Sequence, residues 1–146
     1  MNSIIVVALG GAIGSVCRFL LSNFISQGAL EWRFPLGTFV VNMVGCLVIG
    51  VLLGLSIKEG YFSVETRLFL FTGLVGGFTT FSAFELETFL LLRNGEFFVA
   101  GGNVLLSVTA GLLSLWMGFT PFRYTQLWQN SSWEKKLKEN DGLGKH

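Results

Sequence analysis

The stretch that decides the fold is PLGTFVVNMVGCLVIGVLLGLSI, residues 35–57, in which no side chain is charged. An α-helix needs about 20 apolar residues to cross a hydrocarbon core of roughly 30 Å, and proline suits the first position of a helix. This segment therefore predicts a helix that spans a membrane. Its few polar side chains include one amide, Asn42.

Three more apolar segments surround this helix. Short charged connections join four predicted spans, which cover residues 4–25, 35–57, 68–92 and 97–119. We therefore predict an all-α membrane protein whose residues 1–122 form a domain of four transmembrane helices. Residues 123–146 form a polar tail, which we expect to be partly disordered.

The composition of the chain also favours a membrane protein. Of its 146 residues, 51% are hydrophobic and only 13% are charged, whereas an ordinary soluble domain carries about 25% charged residues. The first span carries one charge, Arg18, and it follows a long apolar run. That order favours a membrane helix over a cleaved signal peptide. We expect a multi-pass protein of the cell membrane.

Charge and motif content exclude several classes of function. The 10 basic and 9 acidic residues give a net charge of +1, which offers no electrostatic footprint for nucleic acid. Cys17 and Cys46 lie in apolar segments without the spacing of a metal site or a disulfide framework. The sequence has no P-loop and no nucleophile paired with a base, so we predict that the protein is not an enzyme.

Lysine and arginine residues near the spans are only slightly more numerous on one side of the membrane than on the other. The N-terminus, the second connection and the tail share one side, and Arg33 and Arg93 lie on the other. The small excess of basic residues on the side that holds the tail favours a cytoplasmic tail. So weak a bias is also compatible with insertion in both orientations.

Glycine pairs four residues apart occur in three of the predicted spans. This GxxxG spacing lets helix backbones approach closely in lipid. The pairs are Gly10 and Gly14, Gly50 and Gly54, and Gly73 and Gly77. They predict close helix packing, either within one chain or between subunits.

The third span contains the segment GLVGGFTTFSAF, residues 73–84. Consecutive Gly76 and Gly77, followed by Phe78, Thr79 and Thr80, make a poor continuous helix. A break at membrane depth could free backbone carbonyls for a cation. A simple packing notch is the alternative. Phe81 and Phe84 share one helical face, and the positive ring edges of phenylalanine could face an anion.

Several other polar side chains lie at membrane depth, where each needs a partner or a wet cavity. Asn103, Ser107 and Ser114 share one face of the fourth span, and this stripe alone is compatible with ordinary interhelical hydrogen bonding. The other candidates in the spans are Arg18, Asn42, Glu85 and Glu87.

Three segments resemble the signature regions of the Fluc family of fluoride channels, also called CrcB proteins. They are GGAIGSVCR at residues 10–18, PLGTFVVNMVG at 35–45 and GLVGGFTTFSAF at 73–84. The resemblance extends over residues 4–120 and leaves out the tail. It implies passive, selective export of fluoride across the plasma membrane of a prokaryote. It also implies an antiparallel, dual-topology dimer with two pores and a central structural sodium ion.

The resemblance also implies roles for individual residues. The fluoride pore would be lined by Asn42, Phe81, Ser82, Phe84 and Ser107. Backbone carbonyls of Gly76 and Thr79 would bind sodium. Polar support near the aqueous vestibule would come from Arg18, Thr80 and Glu87. Ala83 and Gly111 replace hydroxyl residues of other members, and Glu85 has no assigned counterpart.

Two alternatives from other classes stay open at this point. A small dual-topology, proton-coupled multidrug exporter would need a central membrane carboxylate, typically in the first span, where this chain carries Arg18. A non-transporting membrane scaffold would explain the glycine pairs but not a broken third span. The partner of the chain would be a second copy or an oppositely oriented homologue.

Overall fold

The computed structural model describes residues 2–28, 32–57 and 62–143, and the side chains of residues 3–28, 32–57 and 62–122. Within those ranges the chain is helical and contains no strand. We number the helices α1 (Asn2–Gly28), α2 (Leu36–Ser56), α3 (residues 64–78), α4 (Phe81–Arg93) and α5 (Phe97–Leu143).

Four helical stretches are long and apolar enough to cross a membrane. They are Ser3–Gly28, Leu36–Ser56, Val64–Arg93 and Phe97–Phe122, and the third combines α3 and α4. The predicted all-helical architecture with four spans is therefore confirmed. Residues 58–61 of the second connection, including Lys58, lie outside the described part of the chain.

Helix α3 is not a regular α-helix. It begins as a short α-helical turn at Val64–Arg67, continues as a π-helix at Leu68–Val75, and ends as Gly76–Phe78. A π-helix forms hydrogen bonds from residue i to i+5, is rare, and is frequently found at functional sites. Apolar periodicity did not predict this segment.

The break in the third span lies at Thr79 and Thr80. Their backbones are extended, with φ/ψ of −80°/155° and −146°/117°. The sequence predicted an interruption within residues 76–80, and the structure confines it to the last two of these residues, because Gly76–Phe78 remains helical. The two threonines are β-branched and so favour extended backbone. Thr80 also caps α4, because its hydroxyl accepts a hydrogen bond from Ala83 N at 3.2 Å.

The GxxxG glycines of α1 and α3 face each other within one chain. A Cβ atom placed on Gly10 would lie 2.7 Å from the carbonyl oxygen of Phe69 and 3.0 Å from Cα of Gly73. One placed on Gly77 would lie 2.6 Å from the carbonyl oxygen of Gly11. These distances leave no room for a side chain, so the glycines allow the two backbones to touch.

The remaining glycine pair joins α2 to α5. A Cβ atom on Gly50 would lie 3.1 Å from the backbone nitrogen of Phe119, and one on Gly54 would lie 2.6 Å from Cγ of Phe122. All three GxxxG pairs therefore pack within the chain. This finding decides between the two kinds of packing that the spacing predicted.

The connections before α2 and before α5 meet at one end of the bundle. Arg33 Nη1 and Glu96 Oε1 form an ion pair at 2.6 Å. Helix α4 ends in a tight turn in which Gly95 has a φ of +80°, a conformation that favours glycine. Glu96 N donates back to Leu91 O at 2.9 Å, which satisfies a terminal carbonyl. Neighbouring spans thus run up and down.

Helix α5 continues through Pro121 into the polar tail. Its helical backbone extends to Leu143, beyond the boundary at residue 122 that the composition predicted. The side chains of residues 123–143 and all of residues 144–146 lie outside the described part. The partial disorder expected of the tail therefore stays a prediction.

The single chain encloses a very small apolar core. Among the described residues, its buried hydrophobic members are Val41, Val75, Phe84 and Ala100. Large apolar side chains on every span are exposed, including Phe24, Val48, Phe89 and Leu112. Exposed apolar faces of this extent indicate surfaces that meet lipid or another protein.

Candidate functional site

Asn42 on α2 holds the break in the third span. Its Nδ2 donates to the carbonyl of Thr80 at 3.1 Å, and its Oδ1 accepts from Thr80 N at 2.9 Å. One side-chain amide thus satisfies both backbone groups of a residue that has left the helix. Unpaired backbone groups at membrane depth are costly, so this pair of hydrogen bonds stabilises the extended conformation.

The break also releases backbone carbonyls on the α3 side. In a continuous helix, Thr80 N would donate to the carbonyl of Gly76, but here it donates to Asn42. The carbonyl of Gly77 accepts from Arg18 Nε at 3.3 Å and from Ser15 Oγ at 3.5 Å. Helix α1 therefore supports the end of α3, and Gly76 loses its helical donor.

An apolar cavity of about 410 Å³ lies beside the break. We call this space the apolar cavity; it is open at one side, and four predicted pore residues line it: Asn42, Phe81, Phe84 and Ser107. The rings of Phe81 and Phe84 are tilted by 42°, with centroids 5.7 Å apart. Phe84 is only 8% exposed, whereas Phe81 is 73% exposed in the single chain.

A second cavity, of about 230 Å³, is also lined by Thr80 but not by Phe81 or Phe84. We call it the polar cavity; its charged and hydroxyl lining includes Arg18, Ser22, Thr38, Thr80 and Glu87. Thr38 Oγ1 donates to Glu87 Oε1 at 2.6 Å. Among the described residues, Glu87 Oε2 is buried without a hydrogen-bond partner.

The two cavities share Thr80, so the break separates a polar chamber from an apolar one. The structure brings the predicted vestibule residues Arg18, Thr80 and Glu87 together around the polar cavity. Ser82 lines neither cavity; its hydroxyl lies 3.4 Å from the hydroxyl of Thr80. Glu85 is exposed at the surface of the single chain.

A buried series of hydrogen bonds connects α5 with α4 beside the apolar cavity. Ser107 Oγ donates to Asn103 Oδ1 at 3.4 Å, and Asn103 Nδ2 donates to Thr88 Oγ1 at 2.9 Å. Thr88 Oγ1 in turn donates to the carbonyl of Phe84 at 2.7 Å. Asn103 is 1% exposed and Thr88 is 7% exposed.

Sequence reasoning missed two members of this site, Thr38 and Thr88. Each lies four residues from a predicted pore residue in the same helix, Thr38 before Asn42 and Thr88 after Phe84. This spacing puts them on the same helical face as the pore residues. Threonine is common on helices, so spacing alone would not have distinguished them.

Comparison with known proteins gives a consistent answer. A family model described as "CrcB-like protein, Camphor Resistance (CrcB)" matches residues 5–119. A relative from Methylobacillus flagellatus, named "Fluoride-specific ion channel FluC", is 54% identical over 125 residues, which cover 86% of this chain and 98% of the relative.

Two more relatives carry the same name. One, from Opitutus terrae, is 48% identical over 120 residues, covering 81% of this chain and 90% of the relative. The other, from Geotalea daltonii, is 40% identical over 124 residues, covering 85% and 99%. The names denote channels and not enzymes. With four candidate spans, the matches make this a multi-pass membrane protein, and the chain belongs to the CrcB family.

Proposed function

We propose that the protein is a fluoride-selective channel that exports fluoride passively from the cytoplasm of a prokaryote and so limits its toxicity. The observation that carries this proposal is the break at Thr79 and Thr80, which Asn42 holds between a polar and an apolar cavity. The names of the relatives support fluoride as the ion.

The donors around the apolar cavity suit a small, strongly hydrated anion. The Asn42 amide has two N–H groups, and its bond to Thr80 O uses one of them, which leaves the other for fluoride. The edges of Phe81 and Phe84 supply weak positive potential, and the hydroxyl of Ser107 supplies a further donor in this cavity. The hydroxyl of Ser82, which lies outside both cavities next to Thr80, is a further donor of the proposed path. Several modest donors can replace hydration without trapping the ion, as in other selectivity filters.

The polar cavity serves as the aqueous entrance in this proposal. Arg18 carries positive charge into the membrane and is anchored there by its bond to the Gly77 carbonyl. A fixed cation in a cleft raises the local concentration of anions. Glu87 lines the same cavity, and Thr38 donates a hydrogen bond to one of its carboxylate oxygens.

Sodium fits the carbonyl oxygens that the break exposes. Gly76 and Thr79 are the residues that would hold it through their backbone carbonyls, and Gly76 has lost its helical donor to Asn42. Oxygen donors suit a hard cation, and unwound backbone in membrane proteins commonly supplies them. Bound sodium would supply positive charge that fixes the break.

We further propose that two oppositely oriented subunits complete two pores. The apolar cavity is open at one side, Phe81 projects from the single chain, and the apolar exterior is extensive. A second copy or a homologue in the opposite orientation would close this side. The weak charge bias of the sequence allows both orientations.

Flux measurements on reconstituted protein test the proposed function. Liposomes that contain the purified protein and a fluoride gradient should release fluoride without ATP or a proton gradient, and should release far less chloride when loaded with chloride. Vesicles without protein are the control. Release no faster than from those vesicles would refute the channel, and release that requires a proton gradient would favour a coupled exporter.

A further inference from the structure

The buried hydrogen bonds from Ser107 to Phe84 have a fixed direction. Thr88 has one hydroxyl proton, which it donates to the Phe84 carbonyl at 2.7 Å. The oxygen of Thr88 can therefore only accept from Asn103. It follows that the amide nitrogen of Asn103 faces Thr88, and that its oxygen, Oδ1, faces Ser107.

Oδ1 of Asn103 is thus a fixed acceptor that faces the hydroxyl of Ser107, and Ser107 lines the apolar cavity. Ser107 also has a single proton, which it can give either to Asn103 or to an anion in the cavity. Its bond to Asn103 Oδ1 is long, at 3.4 Å, whereas hydroxyl hydrogen bonds usually measure about 2.7–2.8 Å. A bond of this length is weak, so an anion can readily take over the donor.

The other end of the series is tied to the pore phenylalanine. The Phe84 carbonyl accepts from Thr88, and the Phe84 ring lines the same cavity as Ser107. Asn103 lies between them at 1% exposure, which leaves little access for water to compete for these bonds. The Asn103 amide therefore connects the Ser107 hydroxyl on α5, through Thr88, to the backbone of Phe84 on α4.

We propose that Asn103 is a positioning residue of the anion pathway. It orients the Ser107 hydroxyl through Oδ1 and links it, through Thr88, to the backbone of Phe84. When fluoride enters the apolar cavity, the Ser107 hydroxyl rotates from Asn103 toward the ion, and it returns when the ion leaves. This inference rests on the proposed fluoride conduction.

A double-mutant cycle on fluoride release from liposomes tests this role. The variants are Asn103→Leu, Ser107→Ala and the two combined, each reconstituted as the full chain. We expect Asn103→Leu and Ser107→Ala each to lower the rate by about two- to tenfold, the range that one hydrogen bond contributes. The combined variant should be no slower than Ser107→Ala alone, because Asn103 acts through Ser107.

A second pair of variants keeps the test independent of folding defects in Asn103→Leu. Thr88→Val preserves the shape of the side chain and removes the hydroxyl from the series. Thr109→Val is its matched control, because Thr109 also donates to its own helix, at 2.7 Å to Leu105 O, but is exposed on α5. We expect slower release only for Thr88→Val, with both variants eluting at the unmodified position in size exclusion.

Fluoride release by the unmodified protein distinguishes a failure of the proposed channel from a failure of the positioning role of Asn103. If the unmodified protein releases no fluoride, the proposed channel fails and this inference fails with it. If the unmodified protein conducts but Asn103→Leu and Thr88→Val match it, the positioning role is overturned. Losses that multiply in the combined variant also overturn it, because they indicate independent structural damage.

Discussion

At the scale of single residues, Asn42 has two roles, which different groups of the same amide perform. Its carbonyl and one N–H hold Thr80, and its second N–H faces the apolar cavity in our proposal. The side chain therefore joins the geometry of the break to the chemistry of the ion path. A substitution that changes the hydrogen-bonding groups of Asn42 but keeps the size of the side chain therefore tests these roles without a change in packing.

Asn42→Asp should abolish most fluoride release. The aspartate can still accept from Thr80 N, but it cannot donate to Thr80 O and places negative charge in the anion path. We expect a decrease of at least about tenfold from the lost hydrogen bond and the added like charge, measured as fluoride efflux from liposomes.

Asn94→Asp is the matched control for this substitution. Asn94 is exposed in the connection between α4 and α5, so the same chemical change there should leave fluoride release unaltered. Equal rates for the two variants would contradict the role of Asn42.

The sequence identified several of the residues that line the cavities but not the hydrogen bonds between them. Resemblance pointed to Asn42, Phe81, Phe84 and Ser107, which the structure brings together at one cavity. Thr38 and Thr88 were missed because their roles depend on partners 49 and 15 residues away. Such pairings arise from the packing of helices, which hydropathy and spacing do not encode.

At the scale of helices, glycine determines how closely the spans approach. Gly10 and Gly73 bring α1 and α3 into backbone contact. In lipid, such contacts replace much of the driving force that burial supplies in water. We therefore expect the smallest side-chain addition at this contact to separate the two helices.

Gly10→Ala should destabilise the protein in detergent. The new methyl group would lie 2.7 Å from the Phe69 carbonyl oxygen, and overpacking of this kind costs about 1–3 kcal/mol of unfolding free energy. Thermal unfolding followed by tryptophan fluorescence measures the change.

Gly101→Ala provides the comparison for this effect. A Cβ atom at Gly101 on α5 would have no neighbour within 4 Å in the single chain, so the alanine should stabilise the helix by up to about 1 kcal/mol. A Gly10→Ala protein that unfolds no earlier than Gly101→Ala would contradict the close contact of α1 and α3.

The location of helices was easier to predict than their internal form. Long uncharged segments identified four spans, since the thickness of a bilayer fixes the length of an apolar helix. The π-helix at Leu68–Val75 was not predicted, and neither was the confinement of the break to the last two residues of the segment 76–80. Both depend on tertiary partners, above all Gly10 on α1 and Asn42 on α2.

At the scale of the whole molecule, the four spans leave an apolar cavity that the single chain does not close. The apolar cavity opens at the surface, and the exterior of the single chain is lined with exposed leucine, valine and phenylalanine. An oppositely oriented partner would bury part of this surface. Lipid would cover the remainder.

Cysteine labelling in whole cells tests the dual orientation. In a background of Cys17→Ser and Cys46→Ala, the variant Asn94→Cys places one thiol in an exposed connection. A membrane-impermeant maleimide should label only part of the protein in intact cells and the rest after permeabilisation. The background without Asn94→Cys is the blank.

Complete labelling, or none, in intact cells would indicate a single orientation. A chain with one fixed orientation would need an oppositely oriented homologue to form the proposed antiparallel assembly. The labelling pattern therefore separates the two kinds of partner that the sequence leaves open.

The π-helix of the third span also bears on how this chain can vary in length. Each of its backbone hydrogen bonds closes a loop that is one residue longer than in an α-helix, so loss of a residue from Leu68–Val75 can be absorbed by tightening toward an α-helix. The same loss in α2 would rotate all later side chains by about 100° and turn Asn42 or its neighbours away from Thr80. Single-residue deletions in this protein should therefore be tolerated in the first half of the third span before they are tolerated in the second span.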